Sequence, residues 1–135
     1  MKKTFTNRTG MECTFTDEGI TFLDKNREIY YPYGGLDSIA MSLLGILQAV
    51  CQGQVCTFAV NHQDRKEVKE LIKTAKAAKE TAPYGDPVVV NFTQRDDIPA
   101  DLPAEEQLKR YKALFVQGAI SKEEYDARKR ILSGK

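Results

Sequence analysis

The chain has 135 residues, of which 41% are hydrophobic and 29% are charged, a balance typical of a soluble globular protein rather than a disordered one. Twenty basic and nineteen acidic residues leave a formal net charge of +1, which argues against a general electrostatic attraction to nucleic acid or to an anionic membrane. A net charge near zero still allows local patches of positive or negative charge on the surface. Three cysteines are too few for a disulfide scaffold and suit a reducing cytoplasm, which is the expected location.

Two stretches bear on membrane targeting. The start, MKKTFTNRTGMECTF, has a basic dipeptide but no apolar core, so we expect no secretory signal. Residues 38–63 carry no Asp, Glu, Lys or Arg, and a membrane-spanning helix needs about 20 apolar residues. Glutamines and a glycine interrupt this run, however, and a buried pair of strands accounts for it better than a transmembrane helix.

Up to residue 60 the hydrophobic period is mostly two, which predicts β-strands. Polar turns at residues 17–19 and 25–26 and a Gly34-Gly35 break separate the apolar runs. Residues 36–47, LDSIAMSLLGIL, fit a strand or one or two turns of helix equally well. The alternating apolar positions are Cys13, Phe15, Ile20, Phe22, Ile29, Tyr31 and Tyr33.

The most specific local pattern is a hairpin in LQAVCQGQVCTFAV. Gly53-Gln54 fits a two-residue type II′ turn, because glycine at the first central position supplies the positive φ. This turn would place Cys51 opposite Cys56. The same register puts six residues on one apolar face, namely Leu47, Ala49, Cys51, Cys56, Phe58 and Val60.

After Val60 the spacing becomes helical and predicts an amphipathic helix over 64–80, with Asp64 as its N-cap. Its apolar stripe consists of Val68, Leu71, Ile72, Ala75 and Ala78. A second row is a candidate anion-binding surface, for membrane lipid or nucleic acid, and consists of Lys66, Lys69, Lys73 and Lys76. Lysines opposite an apolar stripe are also what a solvated helix face usually carries.

The strand order and the closing helix of residues 4–80 resemble the small bacterial PH-like domains. The resemblance lies in GITFLDKNREIYYPYGGLDSIA, in the hairpin ending CTFAV and in KELIKTAK. It implies an α+β domain over residues 1–82, in which an antiparallel PH-like sheet or partial barrel is closed by a C-terminal helix. A shared fold does not by itself imply lipid binding.

Four of the five prolines lie between residues 83 and 103 and predict a stiff linker. Within it, VVVNF at residues 88–92 predicts a short strand on a sheet edge, either of the chain's own sheet or of a neighbouring copy. A loosely packed linker is the alternative.

Residues 104–135 predict a helical hairpin. In PAEEQLKRYKALFVQG the apolar residues follow helical spacing, and Gly118 fits the C′ position that ends a helix. Ser121 and Glu124 are spaced as a capping box at the start of the second helix. Helices of roughly 10 to 14 residues are marginal alone, so their apolar faces need another surface.

This hairpin resembles the short C-terminal domain known as SHOCT. Ser121 and Tyr125 stand where that family commonly has Thr and Phe, which preserves the cap and the aromatic ring. The match lies in Leu108, Leu114, Gly118, Ile120, Ser121, Glu124, Tyr125, Lys129 and Leu132.

We therefore expect a non-catalytic binding or assembly protein whose hairpin contacts another protein or a second copy. Self-association is favoured because the stiff linker separates the hairpin from its own domain; docking back onto that domain is the alternative. The candidate contact residues are Leu108, Tyr111, Leu114, Phe115, Ile120, Tyr125 and Leu132. Nucleic acid is not expected as a partner, and peripheral membrane contact is the lesser alternative.

Nothing in the sequence predicts an enzyme, a metal or a cofactor. It contains no P-loop, no dinucleotide-binding glycine motif, no nucleophile elbow and no H-E-x-x-H. Cys13, Cys51, Cys56 and His62 formally make a Cys₃His set, but their C-x₄-C spacing is unusual for zinc. A catalytic Cys–His pair would also need a third, orienting group, which the sequence does not indicate.

Overall fold

The computed structural model describes residues 2–92 and 101–133 of the chain. Within those residues the chain forms eight β-strands and three α-helices, and the paired strands run antiparallel, which confirms the α+β class. The chain divides into two compact units, residues 1–89 and 90–135. The described part contains no helix long and apolar enough to cross a membrane.

The first sheet has the strand order β1-β2-β3-β4-β8. Cys13 lies opposite Phe22 and Phe15 opposite Ile20, so the predicted alternation places one face in the core. The last strand lies beside β4 in this sheet. These strands are β1 (Lys2–Thr6), β2 (Glu12–Thr16), β3 (Gly19–Leu23), β4 (Arg27–Pro32) and β8 (Val88–Asn91).

The second sheet contains β5 (Leu36–Met41), β6 (Ile46–Cys51) and β7 (Gln54–Ala59), in that order. The ambiguous stretch 36–47 is thus a strand, a tight turn and the start of the next strand. A register shift between Leu36 and Ser38 leaves Leu36 and Ile39 buried three positions apart, a spacing that a helix also produces. The strands therefore form two sheets, and neither closes into a barrel.

The predicted register of the β6–β7 hairpin is wrong by two residues. Cys51 lies opposite Gln54, and Ala49 opposite Cys56, so Gln52 and Gly53 are the turn residues. Both have positive φ, 51° and 81°, as a type I′ turn requires. All six residues of the predicted apolar face are nevertheless buried, because a shift of two residues keeps each side chain on its face.

Helix α1 (Arg65–Lys79) closes this unit. Val68, Ile72 and Ala75 are buried in the core, and Leu71 and Ala78 pack against it, as the stripe predicts. Asp64 occupies the N-cap position, but its side chain makes no capping hydrogen bond, because a 3₁₀ turn at His62–Asp64 leads directly into the helix. The second unit contains α2 (Ala104–Val116) and α3 (Lys122–Leu132).

Candidate protein-interaction site

The joint between α2 and α3 is a Schellman motif centred on Gly118. The Gly118 amide donates to the carbonyl of Phe115 at 3.0 Å, and the Ala119 amide donates to the carbonyl of Leu114 at 2.8 Å. Gly118 has a φ of 78°, which glycine adopts without a steric penalty. The predicted C′ role of Gly118 is therefore confirmed, and it fixes how α2 ends.

Helix α3 begins with the predicted cap. Ser121 is the N-cap, and its hydroxyl oxygen accepts a hydrogen bond from the Glu124 amide at 3.1 Å. Ile120, just before the cap, is buried, and Tyr125 packs against the same cluster, as a hydrophobic staple requires. This arrangement sets the direction in which α3 leaves the joint.

The predicted contact residues form a small core within the hairpin and a half-buried margin, that is, the partly buried residues packed against that core. Tyr111, Leu114 and Ile120 are buried. Phe115, Tyr125 and Leu132 are partly buried against them, and Leu108 is also half-buried. The rings of Phe115 and Tyr125 stack with centroids 5.1 Å apart and planes 1° apart. The structure thus brings six of the seven candidates together in one cluster.

The hairpin also contains an ion pair that the sequence does not predict as part of the site. Arg128 Nε donates to Glu124 Oε2 at 2.8 Å, and their side chains are only 16% and 3% exposed. Arg128 Nη1 also donates to the Tyr111 hydroxyl at 3.0 Å. The Arg128 guanidinium carbon lies 4.4 Å from the Tyr111 ring centroid and 4.7 Å from that of Phe92. The Glu-x₃-Arg spacing predicts this pair, but it does not show that the pair is buried among aromatic rings.

Two large apolar side chains of the hairpin remain outside its core. Val116 is 76% exposed at the end of α2, and Ile131 is 37% exposed near the end of α3. Neither residue is among the contact residues that the sequence predicts. Both side chains are therefore accessible, one at the end of each helix.

The candidate anion-binding lysines lie in the first unit. Lys66, Lys69, Lys73 and Lys76 are all exposed on α1. Carboxylates are interleaved with them, since Lys73 Nζ lies 3.7 Å from Glu70 Oε1 and Lys3 Nζ lies 3.6 Å from Glu67 Oε2. The row therefore carries mixed charge, and anion binding there stays a prediction.

The residues of the formal zinc set lie in different environments. Cys13, Cys51 and Cys56 are free thiols buried in the sheet core, whereas His62 is exposed in the 3₁₀ turn before α1. Burial raises the pKa of the Cys56 thiol to about 11 and that of Cys13 further still. Within residues 2–92 and 101–133, no group of three or more His, Cys, Asp or Glu side chains is arranged to hold a metal ion.

Comparison with known protein families gives a match within the second unit. No curated protein and no solved structure matches the chain. The resemblance of residues 4–80 to PH-like domains stays a prediction. Residues 106–132, which include most of α2, the Gly118 joint and all of α3, match the family described as SHOCT, the Short C-terminal domain.

Proposed function

We propose that the α2–α3 hairpin is a protein-interaction module through which the chain associates with a second copy of itself, and that the protein is not an enzyme. The observation that carries the proposal is that apolar side chains of the hairpin stay accessible, with Val116 76% exposed and Ile131 37% exposed. Apolar and aromatic side chains of this kind form the cores of protein interfaces.

The half-buried margin supports this proposal. Phe115 and Tyr125 present a stacked aromatic pair beside the buried residues, and aromatic side chains often dominate binding energy. The proposal gives the partly exposed residues the direct contact. It gives Tyr111, Leu114 and Ile120 a supporting role, because these three are already buried within the hairpin.

The test is light scattering on a sizing column with the full chain. The wild type should elute with a mass above the monomer's 15.2 kDa and dissociate on dilution. A Val116→Lys, Ile131→Lys double variant should be monomeric. Lysine is chosen because both positions lie in the last turn of a helix, where a cation is favourable and the helices should persist.

The matched control is Val55→Lys, since Val55 is 55% exposed in the first unit. It adds a charge at an exposed valine and should leave the mass unchanged. A wild type that is monomeric at every concentration would overturn the proposal. So would a double variant that keeps the wild-type mass while its helix content is unaltered.

A further inference from the structure

The turn between β5 and β6 exposes two adjacent leucines at its tip. Leu43 is 100% exposed and Leu44 is 81% exposed, and Ile46 at the base of the turn is 38% exposed. Single exposed apolar residues are ordinary, but a contiguous apolar group indicates a contact surface. The proposed function of the hairpin makes no use of this tip.

The tip is held in a fixed conformation by hydrogen bonds. The Ser42 amide donates to the Ile46 carbonyl at 2.9 Å, and the Gly45 amide donates to the Ser42 carbonyl at 3.0 Å. The Gly45 carbonyl accepts from the Val60 amide at 2.8 Å. These amides and carbonyls are already hydrogen-bonded within the protein. Moving the tip from water into an apolar medium therefore costs less than it would if they were unpaired.

A cation is attached directly to this turn. Arg65 Nη2, from the first residue of α1, donates to the Leu44 carbonyl at 3.0 Å. The guanidinium lies so close to Gly45 that a Cβ there would overlap it. Arg65 Nε is buried without a hydrogen-bond partner among the residues that the structure describes. The arginine is thus fixed beside the leucines.

A cleft of about 420 Å³ adjoins the tip, and its lining combines apolar residues with polar and cationic ones. Arg8, His62 and Arg65 lie around it, and none of its lining residues is a carboxylate. Leu44 and Gly45 of the turn form part of the same wall. An anionic group in the cleft would therefore meet the cations of Arg8 and Arg65 and no lining carboxylate, beside the exposed leucines.

We propose that this end of the first unit docks on an anionic lipid bilayer. Leu43 and Leu44 enter the boundary between headgroups and acyl chains, while Arg8 and Arg65 receive a lipid phosphate in the cleft. A bilayer fits the observations better than a protein partner, because a specific protein interface buries about 800 Å² per partner and two protruding leucines offer much less. A fluid interface accepts a narrow apolar wedge flanked by cations.

The test is co-sedimentation of the full chain with vesicles of phosphatidylcholine alone or with about a third phosphatidylglycerol added. The wild type should bind the anionic vesicles. Binding should weaken as the salt concentration is raised, because salt screens the attraction between the arginines and the anionic headgroups. Leu43→Ser with Leu44→Ser should weaken binding by more than about tenfold. Arg8→Gln should weaken it by about fivefold.

Each variant has a matched control in the same unit. Val55→Ser removes an exposed apolar residue elsewhere, and Lys73→Gln removes an exposed cation from the α1 lysine row; both should bind like the wild type. Thermal unfolding should be unchanged in the leucine variant, since Leu43 is fully exposed. These controls separate the tip from the lysine row.

Three outcomes would overturn the proposal. The first is a wild type that fails to bind anionic vesicles at low salt. The second is a leucine variant that is folded and binds as well as the wild type. The third is binding of inorganic phosphate, measured by calorimetry, without any binding to vesicles, because the cleft would then take a free anion and not a membrane. All three outcomes are independent of whether the hairpin associates with itself.

Discussion

Arg128 and Glu124 form a buried ion pair in a unit with very few core residues. Their side chains are 16% and 3% exposed, and the guanidinium also packs on the rings of Tyr111 and Phe92. The attraction within such a pair largely offsets the loss of hydration, so the pair itself adds little net stability. Removing one partner is different, because the Glu124 carboxylate, only 3% exposed, stays buried while the guanidinium that donates to it at 2.8 Å is lost.

We therefore expect Arg128→Met to destabilise the hairpin by about 3 kcal/mol, because a buried carboxylate loses the charged donor that lies 2.8 Å from it. Adding Glu124→Gln to that variant should recover part of the loss. Hydrogen exchange of the α3 amides in the full chain measures the effect. The control is Lys129→Met, which removes an exposed cation from the same helix. Equal protection in the Arg128 and Lys129 variants would contradict the prediction.

At the scale of the elements, two turns use glycine for the same conformational reason. Gly53 in the β6–β7 turn and Gly118 between α2 and α3 have φ values of 81° and 78°. A Cβ at either position would have no atom within 4 Å, so a substitution there meets no steric obstacle from the surroundings. The cost of a side chain is then purely that of the left-handed backbone.

Gly53→Ala and Gly118→Ala should each cost about 1 kcal/mol, and each should affect only its own element. Hydrogen exchange should show weakened protection in β6 and β7 for the first variant and in α2 and α3 for the second. Each variant thus serves as the control for the other. Loss of protection in both units from either single change would show that the effect is not local.

The sequence predicted the faces of these elements better than their registers. The alternation that placed Cys51 and Cys56 in the core is unchanged by a slip of two residues, so hydrophobicity alone does not choose the turn. The observed turn is held by residues distant in the chain. Gln52 Nε2 donates to Asp86 Oδ1 at 2.7 Å and to the Tyr84 hydroxyl, and the Gly53 amide donates to Asp37 Oδ2 at 3.1 Å.

In the candidate site, too, the sequence predicts the local features but not those that depend on tertiary packing. Helical spacing and cap chemistry are local, so Gly118, Ser121 and the core positions of the hairpin were predictable. Which apolar residues stay accessible depends on how α2 and α3 pack, and for that reason Val116 and Ile131 were missed. In the sequence, Leu43 and Leu44 belong to an apolar stretch that predicts burial. The sequence alone does not show that they lie at the tip of a turn, where both are exposed.

At the scale of the whole molecule, tertiary contacts explain residues that the sequence alone indicates only as breaks between strands. Gly34 and Gly35 were interpreted as a break between strands. In the structure the segment after α1 passes so close that a Cβ on Gly34 or Gly35 would overlap the carbonyl groups of Pro83 or Gly85. The two glycines thus allow this segment to pack against the 3₁₀ turn at Tyr33–Gly35.

The chain's three cysteines share the core of the first unit, and this gives that unit a specific pH dependence. Burial raises the pKa of each thiol, to about 11 for Cys56. Both the folded and unfolded chains hold these protons at pH values below about 8.5, the pKa of an exposed thiol. Above that value the unfolded chain loses protons that the folded chain keeps, so the free energy of unfolding falls as the pH rises.

We expect the urea midpoint of the first unit, followed by the β-sheet signal in circular dichroism, to be lower at about pH 9.5 than at about pH 7. Buried Tyr33, whose pKa burial raises to about 12, acts in the same direction only at higher pH. Cys56→Ala removes one titrating thiol and should show a smaller fall between the two pH values. A midpoint that is unchanged or that rises with pH would mean that the thiols are not held protonated in the folded core.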